Sequence, residues 1–265
     1  MQVRLVGAHQ AESRDTGFSS LLIDGVLALD AGSLASRLTL DEQRAIRWIV
    51  LSHYHYDHIK DLPVVCFNSV PFGGNFHHGK NVYAAPITID RVRTYLMNGD
   101  SWPNFAERPV DRPAAVFHPI AAGHDYPIGD YTVRCVPSVH AVPTLAIQVS
   151  HHGRSVLYSG DAGPGSGLHW ADLSPDHLIT EVTMANVQTD MARRVHHFTP
   201  ALLAEDLRIF RERRGYLPPV TVIHVNPIHE DDIRAEIAAV AADLGATIAL
   251  GREDQILEIE EIAHP

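Results

Sequence analysis

Leu51-Ser52-His53-Tyr54-His55-Tyr56-Asp57-His58-Ile59 follows directly on an apolar run, Trp48 to Leu51. Three imidazoles and one carboxylate so close together are hard to explain as surface decoration. Imidazole and carboxylate are ligands suited to zinc, iron or manganese. If the chain stays extended, His53 and His55 point the same way, because side chains repeat there with period two. A turn after His55 then aims Asp57 and His58 at a neighbouring point. The segment can therefore serve two adjacent metal ions.

Outward from this segment, strands and helices alternate, which predicts a layered α/β domain. On the amino-terminal side, Val3 to Val6, Ser20 to Ile23 and Val26 to Asp30 read as strands, with Asp24-Gly25 as a hairpin turn. A short helix is expected at Leu40 to Arg44. Residues 63 to 118 read as irregular, rich in Pro, Gly and aromatics, with one helix at Ile87 to Leu96. Such segments often serve as binding loops, so a substrate-loop region is expected over about 66–118 of a single domain spanning 1–265. Strand patterns return at Tyr131 to Val136, Leu145 to Val149 and Ser155 to Tyr158, with His151 and His152 in the turn between the last two. A strand at His177 to Val182, a helix at Pro200 to Arg213 and a strand at Val220 to Val225 follow. The chain closes with a helix at Asp231 to Leu244 and strands near Thr247 to Ala249 and Gln255 to Ile259.

The His-x-His-x-Asp-His run after a strand resembles the hallmark of the metallo-β-lactamase superfamily. Other segments match that family in order: Leu29-Asp30-Ala31-Gly32, Val139-His140, Tyr158-Ser159-Gly160-Asp161 and Val222-Ile223-His224. The resemblance implies a four-layer αββα fold, two mixed β-sheets packed face to face with helices outside. It implies His53, His55 and His140 on one metal, and Asp57, His58 and His224 on the other. Asp161 would bridge them, and Asp30 would support the metal loop from behind. His229 competes with His224 for the last place; His224 is favoured because it ends a strand. Two divalent ions are expected, zinc first, with manganese or iron as alternatives.

Two metals about 3.5–4 Å apart can share a water and lower its pKa toward neutrality. The expected nucleophile is thus a bridging hydroxide, with Asp57 both binding metal and orienting it. No Gly-x-Ser-x-Gly elbow occurs in the sequence, and neither cysteine sits beside a plausible base. Leu178-Ile179-Thr180-Glu181-Val182-Thr183 and His196-His197-Phe198-Thr199-Pro200 resemble the phosphodiesterase branch, which includes class II cyclic-nucleotide phosphodiesterases and tRNA 3′-processing ribonucleases. That likeness gives His197 a catalytic and substrate-binding role on phosphate. Asn98 to Phe105, with Trp102-Pro103, and His140 to Thr144 resemble the cyclic-nucleotide enzymes in particular. The expected activity is hydrolysis of a small anionic phosphodiester such as a 3′,5′-cyclic nucleotide. RNA 3′-end processing is one alternative. A non-hydrolytic di-iron sensor or redox module is another, although such relatives commonly carry Glu where His55 stands.

Composition bounds these readings. Of 265 residues, Lys and Arg number 21 against 32 Asp and Glu, a formal charge of −11. This balance argues against a general nucleic-acid binder, whose affinity comes from neutralising phosphates. Bound cations can still reverse the local field for a small anion. Only two cysteines occur, Cys66 and Cys135, each in an apolar stretch, which fits reduced thiols in a cytoplasmic protein. The amino terminus shows no signal-peptide pattern, and no window approaches the roughly 18 apolar residues of a membrane span. No membrane partner is expected, and a homodimer is allowed. Of the 18 histidines, His77 and His78 are candidates to line the substrate pocket, while His9, His118, His124, His169, His177 and His264 receive no role.

Overall fold

Asp24 and Gly25 both take positive φ, 47° and 73°, and form the tight hairpin turn that starts the first sheet. In this computed structural model the structure describes residues 1–70 and 78–262. Strands β1 (Gln2–Gly7), β2 (Ser20–Ile23), β3 (Leu27–Leu29), β4 (Trp48–Val50), β5 (Lys80–Ala84) and β6 (Ala115–Pro119) lie side by side in chain order. The second sheet runs from β7 (Asp125–Ile128) through β8 (Tyr131–Ser138), β9 (Thr144–His151), β10 (Arg154–Tyr158), β11 (His177–Glu181) and β12 (Val220–Ile223) to β13 (Ile248–Leu250). Strand β14 (Ile256–Glu258) returns to the first sheet and pairs with β1.

Period-two burial divides the layers. Leu21, Ile23, Leu27, Leu29 and Val50 of one sheet meet Val133, Ile147, Val156, Tyr158 and Ile179 of the other in one buried cluster. The alternate residues Leu22, Ala28 and Ile49 face outward instead, under α1 (Leu34–Arg37), α2 (Leu40–Ala45), α4 (Leu62–Ser69) and α5 (Pro86–Tyr95). On the far side Ala146, Leu157, Leu178 and Val222 pack beneath α6 (Ser166–Trp170), α7 (Thr189–Val195), α8 (Pro200–Arg214) and α9 (Glu230–Leu244). The order is helix, sheet, sheet, helix, as expected.

The described residues within 63–118 are more regular than their sequence reading. The apolar run after Asp61 forms α4, and β5 and β6 pair in parallel with the first sheet. The α4 run carries no polar stripe to betray a helix. Strand β5 hides a lysine on its helix-covered face: Lys80 is fully buried. Its Nζ donates to the carbonyls of Gln43 at 2.7 Å and Ile46 at 2.6 Å, at the carboxyl end of α2, where carbonyls lack partners within the helix.

Direction of the strands prepares the site. Strands β3, β4 and β5 are mutually parallel, and so are β10, β11 and β12. Strand β8 runs with β10, because both are antiparallel to β9. The residues that follow the carboxyl ends of β3, β4, β8, β10 and β12 include Asp30, His53, His140, Asp161 and His224.

Candidate metal centre

After β4 the chain stays extended through His55 (φ −63°, ψ 146°) and then turns into α3 (Tyr56–Ile59). The switch from extended chain to helix places His53 and His55 on one side and Asp57 and His58 on another. His53, His55 and His140 converge, with ring centroids 4.7, 5.1 and 4.9 Å apart in pairs. His58 stacks on His224 at 5.4 Å, and His224 Nε2 lies 3.3 Å from Asp57 Oδ2. Asp161 stands between the two groups. Its Oδ2 is 3.7 Å from His53 Nε2 and 3.6 Å from His140 Nε2, while its Oδ1 is 3.1 Å from His58 Nε2 and 3.5 Å from His224 Nε2. All seven residues expected as ligands are therefore brought together. Two sets, His53-His55-His140-Asp161 and Asp57-His58-His224, each hold their ligand atoms within 4.8 Å of one another.

This donor set fits cations. His53 Nε2, His58 Nε2 and Asp161 Oδ1 are buried and form no hydrogen bond, a costly arrangement for polar atoms that share no partner. Burial, joined by the neighbouring histidines, holds His53 well below the usual imidazole range, so its lone pair is available. Burial likewise pushes His55 and His140 down. For Asp161, burial favours the neutral acid, but the surrounding imidazoles His224, His58 and His53 outweigh it and hold the carboxyl well below its ordinary value. Asp57 is lowered in the same sense, its burial overcome by the imidazoles of His224 and His58 beside it.

The backs of the rings are fixed by two buried carboxylates. Asp30 takes φ +59° directly after β3. Its Oδ2 accepts from His58 Nδ1, Ser52 Oγ and Tyr158 OH, each at 2.7 Å, and its Oδ1 accepts from the Ser52 amide at 2.7 Å. Ser52 Oγ also lies 2.9 Å from His53 Nδ1. Glu181, at the end of β11, takes the second set: its Oε1 is 2.7 Å from His197 Nδ1, and its Oε2 accepts from Thr183 Oγ1 at 2.8 Å. Thr183 Oγ1 is in turn 2.8 Å from His224 Nδ1. Behind His140, Nδ1 donates to the carbonyl of His196 at 3.1 Å.

His197 sits between the two ligand groups, its ring 5.0 Å from His140 and stacked on His224 at 5.7 Å. Burial disfavours its cation, yet the Glu181 carboxylate overcomes this and raises the imidazole from 6.5 to about 9. His196 turns its side chain outward and contributes only backbone. His229 stays outside the cluster, 3.9 Å from Asp232, whereas His224 joins it. His78 is exposed, and His77 and His264 lie outside the described residues. Trp102 packs its ring against Phe67 at 5.6 Å. The sequence reading assigned no role to Thr183, Ser52 or Tyr158, and quoted Glu181 only as part of a motif.

Comparisons with known proteins agree with this fold. A probable 3′,5′-cyclic-nucleotide phosphodiesterase from Yersinia pestis is 24% identical over 247 residues, 80% of this chain and 67% of that protein. Unliganded yeast PDE1 superposes with a TM-score of 0.77 at 14% identity, over 97% of this chain and 98% of that one. The metallo-β-lactamase fold protein YhfI from Bacillus subtilis gives 0.76 at 16% identity, over 97% and 99%. Residues 19–250 match the profile of the Beta-lactamase superfamily domain, and the chain belongs to that superfamily.

Proposed function

We propose that this protein is a metal-dependent hydrolase of small phosphodiesters, with 3′,5′-cyclic nucleotides as the foremost substrate class. The observation that carries the reading is the division of one buried carboxylate, Asp161, between two histidine groups. In this reading His53, His55 and His140 hold one divalent ion, and Asp57, His58 and His224 the other, with Asp161 shared. Zinc is the first candidate, and iron or manganese suit the same ligands. When bound, such a pair supplies Lewis-acid charge and acidifies a shared water.

The remaining chemistry belongs to the chain. Asp57 keeps about a quarter of its side chain exposed (26%), so one ligand of the cluster faces the space a substrate must enter. His197 has Nδ1 committed to Glu181, which leaves Nε2 to meet a phosphate oxygen. An imidazolium there stabilises negative charge and can give its proton to the departing oxygen. The name of the Yersinia pestis relative supports the phosphodiester class.

Purified protein is expected to cleave 3′,5′-cyclic AMP or bis(p-nitrophenyl) phosphate and to lose that activity with a chelator. No turnover under zinc, manganese or iron(II) loading would sink the reading. The net charge of −11 weighs against an RNA substrate; faster cleavage of pre-tRNA than of cyclic nucleotides would reverse that ranking.

A further inference from the structure

Hydrogen-bond accounting around Thr183 has only one self-consistent solution in a site that presents His224 Nε2 to a cation. A threonine hydroxyl has one proton to give and lone pairs to accept with. Three groups compete for it: Glu181 Oε2 at 2.8 Å, His224 Nδ1 at 2.8 Å and His197 Nδ1 at 3.2 Å. The carboxylate is the strongest acceptor, so the hydroxyl donates to Glu181. It then accepts from His224, which must carry its proton on Nδ1. The Nε2 lone pair of His224 is left facing Asp57 Oδ2 and Asp161 Oδ1, at 3.3 and 3.5 Å.

Ser52 repeats the arrangement on the other sheet. Its hydroxyl donates to Asp30 Oδ2 at 2.7 Å and stands 2.9 Å from His53 Nδ1. Each buried carboxylate thus holds one imidazole directly and a second through a hydroxyl. Asp30 holds His58 and, through Ser52, His53. Glu181 holds His197 and, through Thr183, His224. The two relays come from separate sheets and unrelated sequence contexts, one after β4 and one after β11.

We propose that Thr183 is a positioning residue that sets the tautomer of His224 by relaying its Nδ1–H to Glu181, as Ser52 does for His53 through Asp30. The inference rests on the reading of His224 as a metal ligand, and not on the substrate. Thr183 touches no substrate in this scheme. Its effect is to remove the competing tautomer, in which a proton on Nε2 would occupy the place of the cation. Second contacts of this kind typically alter metal affinity about 10- to 100-fold.

The test uses the full chain with Zn²⁺ as probe, comparing wild type, Thr183→Val and Thr183→Ser. Valine keeps the shape and removes the hydroxyl; serine restores the hydroxyl without the methyl. Chelator competition should show Thr183→Val holding one of its ions about 10- to 100-fold more weakly, with Thr183→Ser close to wild type. Imidazole ¹H–¹⁵N spectra of the zinc-loaded protein should place the His224 proton on Nδ1 in wild type and Thr183→Ser. Equal zinc affinity in Thr183→Val and wild type would overturn the proposal. So would equal losses in the valine and serine variants, which would assign the effect to packing. A wild type that binds no zinc would overturn it together with the metal reading. A wild type that binds zinc but cleaves no phosphodiester would remove the proposed function while leaving this inference standing on the affinity data.

Discussion

Asp30 Oδ2 accepts the Nδ1–H of His58 at 2.7 Å, with both side chains wholly buried. The carboxylate is a pure acceptor for four donor contacts, and its grip turns His58 Nε2 toward Asp161. Asn tolerates the left-handed backbone that Asp30 occupies, so Asp30→Asn changes the chemistry without redirecting the chain. An amide cannot satisfy all the donors, and its NH₂ favours the wrong tautomer of His58. We expect Asp30→Asn to fold, to melt lower than wild type, and to retain metal about 10- to 100-fold more weakly. Metal content after dialysis, beside a thermal melt, checks this; wild-type content would contradict it.

His197 gives a pH prediction. Its imidazole is raised from 6.5 to about 9, burial opposing and Glu181 prevailing. A raised folded-state value means that the charged contact adds its full stability below about 6.5 and loses it as pH rises through about 9. In chelator-treated protein, an NMR titration of His197 should find its midpoint well above that of an ordinary histidine. Glu181→Gln should bring the midpoint back down. A midpoint unmoved by that substitution would exclude Glu181 as the cause.

For turnover, His197→Ala is expected to lower kcat about 10²- to 10⁴-fold, the usual size of a lost general acid. Metal content should not change, since His53, His55, Asp57, His58, His140, Asp161 and His224 all remain. Loss of an ion in this variant would instead make His197 a ligand, a role its closeness to Asp161 and His224 allows geometrically.

Gly163 provides a backbone test. A Cβ built there would lie 2.8–3.0 Å from the carbonyl carbon, Cα and oxygen of His196. No rotamer change relieves contact with main chain. Gly163→Ala should therefore displace the His196 carbonyl that orients His140 Nδ1, at a cost of about 1–3 kcal/mol in stability. Denaturant titration measures the cost, and weaker metal retention should accompany it. A variant as stable as wild type would show that the two segments separate easily.

Legibility in the sequence followed the range of the interaction. The 53–58 motif is local, so its ligands and its turn could be read directly. His140, Asp161 and His224 were legible through the resemblance to the superfamily, whose ligands stand just past successive strands in this order, and parallel strand direction brings them together. Glu181, Thr183 and Ser52 hold the rings from behind, and Tyr158 braces the Asp30 carboxylate from 128 residues away. No periodicity encodes such contacts. The strand β5 escaped notice for a different reason: a lysine at a buried position breaks the alternating pattern by which strands are recognised.

The chain has just two lysines, and the fold withholds both. Lys80 is sealed under the first sheet on helix carbonyls, and Lys60 spends its ammonium on Glu12 and Asp61 with little of its side chain exposed. Amine-directed chemistry therefore finds little lysine nitrogen to modify on the intact molecule. Acylation of Lys80 becomes a clock for opening of the layer beneath α2, since the reagent reaches that nitrogen only once the helix has lifted away.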